Sequence, residues 1–246
     1  MTPLIVTSLR RCRLSLFITF LLSGLYSSAS LSAPLTVVEL FTSQGCYSCP
    51  PADDLLGELK QDPNTIALSC HVTYWNYLGW KDTFSHAFCD QRQRSYQAHL
   101  RGRAGVYTPQ MIINGKYGVV GSRRSSVKST LNRAQEQNTA IIALEENTAT
   151  QLSITLPELK NTGLQQLFLL GTSGHQRLPI KRGENGGKTL SYHNPVAQVI
   201  ELGEWKGEKR TLLQNIKKDA SIKEWVVIAQ QSPLGTISAA GKLKLR

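Results

Sequence analysis

The chain has 246 residues, 41% of them hydrophobic, enough for one large domain or two small ones. Its 28 basic and 17 acidic residues give a net charge of +11. Those cations form no run interleaved with aromatics and no nucleic-acid motif, which argues against a nucleic-acid partner. A basic surface suits an anionic lipid or an acidic partner, but scattered lysines are more often a solvated face, so charge decides little.

Residues 1–33 read as a secretory signal. Arg10, Arg11 and Arg13 precede an apolar core from Leu14 to Leu25, and small residues follow. That core is shorter than the roughly 20 residues a spanning helix needs. Cleavage fits after Ala29 or Ala33, and no cysteine ends the core to carry a lipid; an uncleaved anchor is the alternative. The expectation is a periplasmic or secreted bacterial protein with no integral membrane segment after cleavage. Cys12 would leave with the signal, so Cys46, Cys49, Cys70 and Cys89 remain. Three arginines leave too, taking the charge from +11 to +8.

Residues 34–138 alternate short apolar runs with helical patterns. Strands are expected over 35–42, 65–72, 110–114 and 116–120, and helices over 52–60, 84 to about 102, and 125 to about 137. Asn114-Gly115 marks a hairpin between the last two strands. The order β-α-β-α-β-β-α is that of a thioredoxin fold. Residues 139–246 are nearly all strand, with runs at 140–144, 151–156, 164–170, 198–202, 211–216, 225–230 and 236–245. Short strands with regular turn signals suggest a sandwich or small barrel. The Gly-rich interval 171–197 reads as a surface hairpin or loop. The expected architecture is an α/β thioredoxin-like domain followed by a β-rich, sandwich-like C-terminal part, closely packed because no linker separates them.

Cys46-Tyr47-Ser48-Cys49 lies between the first strand and the first helix. Two thiols at this spacing read as a redox pair or as half of a zinc site. A four-cysteine zinc site needs a second close pair, and Cys70 and Cys89 are too far apart to supply it. A set of Cys46, Cys49, Cys70 and His71 would need strand and loop to converge tightly. Redox chemistry therefore leads and no metal is expected. His71, His86, His99, His175 and His193 lack metal-ligand spacing. Gly186-Gly187-Lys188-Thr189 lacks the earlier glycine of a phosphate loop, so neither nucleotide nor other organic cofactor is implied.

Val38-Glu-Leu-Phe-Thr-Ser-Gln-Gly-Cys-Tyr-Ser-Cys-Pro-Pro-Ala-Asp53 resembles the opening signature of the DUF1223 family, exported thioredoxin-like bacterial proteins of unassigned function. Tyr74-Trp-Asn-Tyr-Leu-Gly-Trp-Lys-Asp82, Arg92-Gln93, Val106-Tyr-Thr-Pro-Gln-Met111 and Arg182-Gly-Glu-Asn185 carry the same resemblance. It spans essentially the whole chain after the signal. It implies a thioredoxin-like domain with a β-rich C-terminal part and assigns no reaction. The family commonly has Asp where this chain has Thr73 and Asn76.

A thiol attacks only as thiolate, which positive potential at a helix N-terminus favours. Cys46 would attack a substrate disulfide and Cys49 would resolve the mixed disulfide. Thioredoxin-like folds place a cis proline beside the dithiol, a position that Thr108-Pro109 fits, with Thr108 offering its backbone to a peptide. Glu39 either relays protons from behind the dithiol or simply sits at a sheet edge or pairs with an arginine. Pro50 disfavours a helical Cys49, and Asp53 and Asp54 add first-turn negative charge; both favour a stable disulfide. Cys70 and Cys89 either form a second disulfide or are buried free thiols. The aromatic segment 74–80 is either a ledge for peptide or a plug between the halves. The expected activity is thiol–disulfide exchange with protein or small-molecule thiols and disulfides. The competing reading is a non-enzymatic periplasmic binding or scaffold protein braced by a structural Cys46–Cys49 bond.

Overall fold

Seven apolar-rich residues after the predicted signal form β1 (Thr36–Thr42), buried along its whole length. The computed structural model describes residues 35–100 and 105–245; the predicted signal over 1–33 lies outside the described residues. β1 pairs in parallel with β2 (Thr65–His71) and antiparallel with β3 (Gln110–Ile113). β3 turns into β4 (Tyr117–Val120), which completes a sheet in the order β2-β1-β3-β4. The turn uses Asn114 and Gly115 at φ 49° and 68°, the left-handed backbone that this pair of residues tolerates. Asn114 also accepts from the Val37 amide and donates to the Ala134 carbonyl, tying the turn to β1 and α3.

Three helices join these strands in the expected order: α1 (Pro50–Leu59), α2 (Ala87–His99) and α3 (Arg124–Ala134). Alternation along β1 divides its neighbours. Val38 and Leu40 pack against Ala52, Leu55 and Leu56 of α1 and Val127 of α3. Phe41 and Val37 point the other way, Phe41 towards Tyr96 of α2 and Val37 towards the C-terminal strands. Cys70 of β2 is bonded to Cys89 in the first turn of α2, both buried.

The C-terminal strands are β5 (Ala140–Ile141), β6 (Ala143–Thr148), β7 (Gln151–Leu156), β8 (Gln165–Thr172), β9 (His175–Pro179), β10 (Thr189–His193), β11 (Val196–Trp205), β12 (Arg210–Asn215), β13 (Glu224–Gln231) and β14 (Ile237–Lys244). They form a five-stranded sheet, β11-β8-β13-β14-β5, a three-stranded sheet, β12-β7-β6, and the β9–β10 hairpin. One core fills the space between the two larger sheets, with Leu152, Ile154 and Leu156 facing Leu167, Leu169, Val227 and Trp225. The opposite face of the five-stranded sheet presents Leu170, Val226 and Ile228 to Val37, Ile66 and Leu68. β13 is thus covered on both faces, which explains its unbroken apolar run. The molecule is a mixed α/β protein of several sheets, rich in strand and with few helices. Among the described residues, no helix is long and apolar enough to cross a membrane.

A buried ion pair of the N-terminal half is tied across the seam to the C-terminal half by Gln230. Glu39 of β1 accepts from Arg92 of α2 and from the Tyr96 hydroxyl, and Arg92 also donates to Gln230 of β13 at 2.8 Å. Burial opposes the Arg92 charge, but Glu39 and Tyr96 outweigh it and hold the guanidinium protonated more firmly than usual. Glu39→Gln leaves that cation without its counter-charge and is expected to cost about 3–5 kcal/mol. Glu39→Leu combined with Arg92→Met should cost less than the sum of the single changes. Urea unfolding of the four proteins measures this coupling.

Candidate functional site

α1 begins at Pro50, so both Cys46 and Cys49 precede the first helical residue and Cys49 is the N-cap. Prolines at the first helical positions cost nothing there, because their missing amide hydrogens would have no intrahelical acceptor. Cys49 nevertheless adopts helical angles, φ −80° and ψ −37°. Its carbonyl accepts from the amides of Ala52 and Asp53, which outweighs the preference imposed by the following proline.

Cys46 and Cys49 are joined as a disulfide. The Thr108 hydroxyl donates to Cys46 Sγ at 3.2 Å, and the Trp75 indole N–H donates to that hydroxyl at 2.8 Å. Ser48 Oγ lies 3.6 Å from the same sulfur. The Thr108–Pro109 peptide is cis. The structure therefore brings Cys46, Cys49, Thr108 and Pro109 together, with a side chain rather than the backbone of Thr108 meeting the sulfur. Glu39 is not part of this group: of its two readings, the structure shows the arginine pair, on the α2 side of β1.

The disulfide is covered. Cys46 is 1% exposed and Cys49 fully buried, whereas Tyr47 between them is 67% exposed. The cover comes from the interval that reads in sequence as a surface loop. Asn185 donates to the carbonyls of Gln44 and Cys46 at 3.0 and 2.9 Å, and Glu184 accepts from the Tyr47 amide at 3.2 Å. Lys188 fixes the Asn185 oxygen at 3.0 Å and lies over the Tyr47 ring. This strap, residues 180–188, packs against the aromatic loop at Gly183. There φ is +77° and a side chain would press on Trp80, so glycine suits both demands.

Gln44 knots the three segments together. It is fully buried, and its side-chain oxygen accepts from the Trp80 indole at 2.8 Å while its amide donates to Asp82 Oδ2 at 2.8 Å. Asp82 also bonds His71 Nδ1 at 2.7 Å and accepts from the Phe84 amide. Burial pushes the Asp82 carboxyl up, but His71 and these donors bring it below the ordinary carboxylate range. The aromatic loop thus borders the dithiol through Trp75 and Trp80, and its Tyr77 is 79% exposed beside them.

Asp53 differs from its sequence reading. Its side chain is buried and accepts from Thr42 Oγ1 at 3.2 Å, while its Oδ1 has no partner. Burial pushes its carboxyl well above the ordinary range, and Asp82 and Asp54 add to this. The first-turn charge expected at Asp53 is therefore disfavoured; Asp54, exposed, keeps its place on the surface. His71 Nε2 and the Tyr192 hydroxyl are likewise buried without partners, and the two rings meet edge-on at 4.9 Å. Among the described residues, no three His, Cys, Asp or Glu side chains converge as a metal site.

Sequence reasoning missed Gln44, Asp82 and Asn185 as parts of this site. Their one signal was membership in the motifs that carry the family resemblance; nothing local announces a contact across 139 residues.

Fold and site together define a class: mixed α/β proteins in which a Cys-X-X-Cys disulfide closes a strand–helix junction beneath a C-terminal strap. A family model described as "Protein of unknown function (DUF1223)" matches residues 37–230, and the chain belongs to that family. Among solved structures it is similar to protein AGR_C_4864 from Agrobacterium tumefaciens, with a TM-score of 0.73 and 30% identity over 87% of this chain and 95% of that one. HBP35 of Porphyromonas gingivalis shares fold alone, with a TM-score of 0.58 and 15% identity over 87% of this chain and 76% of that one. A search of curated proteins finds no match.

The folded chain holds the Asp53 proton more tightly than the unfolded chain, in which such a carboxyl titrates near 3.9. The Asp53 contribution to stability therefore falls as pH rises from about 4 towards the raised folded value. Asp53→Asn removes that loss. In urea unfolding between pH 4.5 and 8, the variant should gain on the parent as pH rises; a pH-independent difference would contradict the assignment.

Proposed function

We propose that this is an exported thiol–disulfide exchange protein, with a thioredoxin-like N-terminal part and a sandwich-like C-terminal part, acting through Cys46 and Cys49. The observation that carries this reading is the pair of hydroxyls on one sulfur. Thr108, oriented by Trp75, and Ser48 both address Cys46 Sγ. Donors placed there stabilise a thiolate once the bond opens, and they single out Cys46 as the attacking member. A bond that served only as a brace gains nothing from them.

In the oxidised direction, a substrate thiolate attacks Cys46 Sγ, the Cys46–Cys49 bond breaks, and Cys49 leaves as the thiolate. A second substrate thiol then displaces Cys46, so the substrate is oxidised to a disulfide by two electrons and the protein is left with two thiols. The reverse sequence reduces a substrate disulfide. Glu39 supports this chemistry as an anchor of β1, the strand that leads into the dithiol.

A second reading rests on the burial of both cysteines and the bonds from Asn185 across Cys46. On this reading the disulfide braces a binding or scaffold protein. Exchange requires the strap to move aside, and a brace requires it to stay.

The reduction potential of the pair, read by mass-resolved alkylation in glutathione or dithiothreitol buffers, separates the two. An exchange protein falls between about −120 and −270 mV, and a Cys49→Ser variant retains a mixed disulfide on Cys46. A value below about −300 mV with no trapped adduct rejects exchange. Thr108→Val should slow alkylation of reduced Cys46 about fivefold at pH 7, the equivalent of about one lost hydrogen bond. Asn185→Ala frees two carbonyls and should speed reduction of the disulfide by dithiothreitol about tenfold, while lowering stability by about 1–2 kcal/mol.

A further inference from the structure

A second feature lies away from the dithiol, where the end of α1 meets the β13–β14 pair. A cavity of about 650 Å³ is lined there by Lys60, Lys223, Lys242 and Lys244, with Asn194 and Glu224. The four ammonium groups come from three separate segments. Lys60 follows α1, Lys223 precedes β13, and Lys242 and Lys244 stand two residues apart on one face of β14.

The inner two lysines are held by neutral acceptors. Lys60 Nζ donates to Asn194 Oδ1 at 2.6 Å, and Lys242 Nζ donates to the Thr65 carbonyl at 2.8 Å. Asn194 is itself buried and positioned by the Ala67 carbonyl. These bonds fix the positions of the ammonium groups without cancelling their charge. Among the described lining residues Glu224 is the one acid beside these lysines, and its Oε1 already accepts from Asn194 at 2.9 Å. Burial, together with Lys244 and Lys242, holds Lys60 below the usual ammonium range against the pull of Glu224. A concave, partly desolvated group of like charges is unfavourable until an anion enters it.

We propose that this cavity binds a small ligand bearing a multiply charged oxyanion, of which a phosphate is the simplest form. Its volume lies within the range of small-molecule sites. Lysines recognise phosphate as point charges and need no planar fork, which suits Lys60, Lys242 and Lys244 on different segments of the lining, with Lys223 at the rim bonded to the Ala220 carbonyl at 2.8 Å. A ligand of this kind relieves the repulsion among the lysines and bonds Lys60 and Lys242 without displacing the contacts that hold them. The site does not depend on the reading given to the dithiol.

The test uses pyrophosphate against sodium chloride of equal ionic strength, with calorimetric titration and thermal unfolding of the same protein. Saturable binding and a rise in unfolding temperature that chloride does not reproduce are expected. Lys242→Gln with Lys244→Gln should weaken binding at least tenfold. Lys217→Gln with Lys218→Gln removes the same charge from an exposed segment outside the cavity and should leave binding within twofold. No saturable binding, or equal weakening in the two double variants, overturns the proposal. Sedimentation with phosphatidylglycerol vesicles separates two sources of phosphate. Pelleting that the cavity variant abolishes assigns the site to a lipid headgroup, and pyrophosphate binding without pelleting assigns it to a soluble ligand.

Discussion

The Glu39–Arg92 pair is the constraint on which the rest of the structure depends. A carboxylate in the central strand of a buried sheet is expensive unless its charge is matched and its lone pairs are used. Glu39 meets both conditions, through Arg92 and through the Tyr96 hydroxyl, which in turn accepts from Gln230. Glu39, Arg92 and Tyr96 belong to β1 and α2, and Gln230 of β13 bonds both Arg92 and Tyr96, so the C-terminal half completes a network that the N-terminal half begins. The apolar seam of Val37, Ile66 and Leu68 against Val226 and Ile228 supplies area, which is tolerant of small slips. The ion pair supplies a position, because its bonds fail if α2 shifts along β1.

That position matters because β1 runs directly into the dithiol. Thr42, its last residue, bonds Asp53 on α1, and Gln44 two residues on holds Trp80, Asp82 and the Asn185 strap. The Cys46–Cys49 junction is thus built from four stretches of chain that are far apart in sequence. It is shaped by the aromatic loop and the Thr108 turn from the N-terminal half, and covered by the strap from the C-terminal half. The long-range disulfide between Cys70 and Cys89 encloses the aromatic loop and limits how far its ends can separate. The strap is held over the dithiol by hydrogen bonds of Asn185 and Glu184, by Lys188 over the Tyr47 ring and by Gly183 against Trp80.

What the sequence made legible follows from what is local. The strand–helix order, the Asn114-Gly115 turn and the position of the dithiol depend on periodicity and turn chemistry within a few residues. Some boundaries moved: α1 starts at Pro50 rather than 52, β11 runs Val196–Trp205 rather than 198–202, and the single strand expected over 140–144 divides into β5 and β6, which join different sheets. The roles of Asp53 and Asn185 were not legible, for a different reason. An Asp in the first turn of a helix looks like a capping charge, but Asp53 is buried, bonded by Thr42 and close enough to Tyr192 to push that hydroxyl up. A Gly-rich, basic segment looks like solvent-exposed loop, yet one asparagine in it is fully buried against the Cys46 carbonyl. Tyr192 beside Asp53 and Cys46 beside Asn185 each lie in the other half of the chain, beyond the reach of any window of sequence.

The covered disulfide and the hydroxyls aimed at it pull in opposite directions, and their coexistence is informative. A bond meant only to hold structure is best served by apolar packing, since a thioether-like sulfur is a weak acceptor and needs none. Here Trp75 is oriented to hold Thr108, and Thr108 is oriented to meet Cys46, a two-step arrangement that fits the proposed exchange better than the brace. The strap across Cys46 contributes two bonds from Asn185 and one through Glu184, which together are modest compared with the buried ion pair. The groups on the sulfur come from the N-terminal half and the cover from the C-terminal half, so the proposed exchange and the competing brace differ in whether the strap moves while Thr108 and Trp75 stay in place.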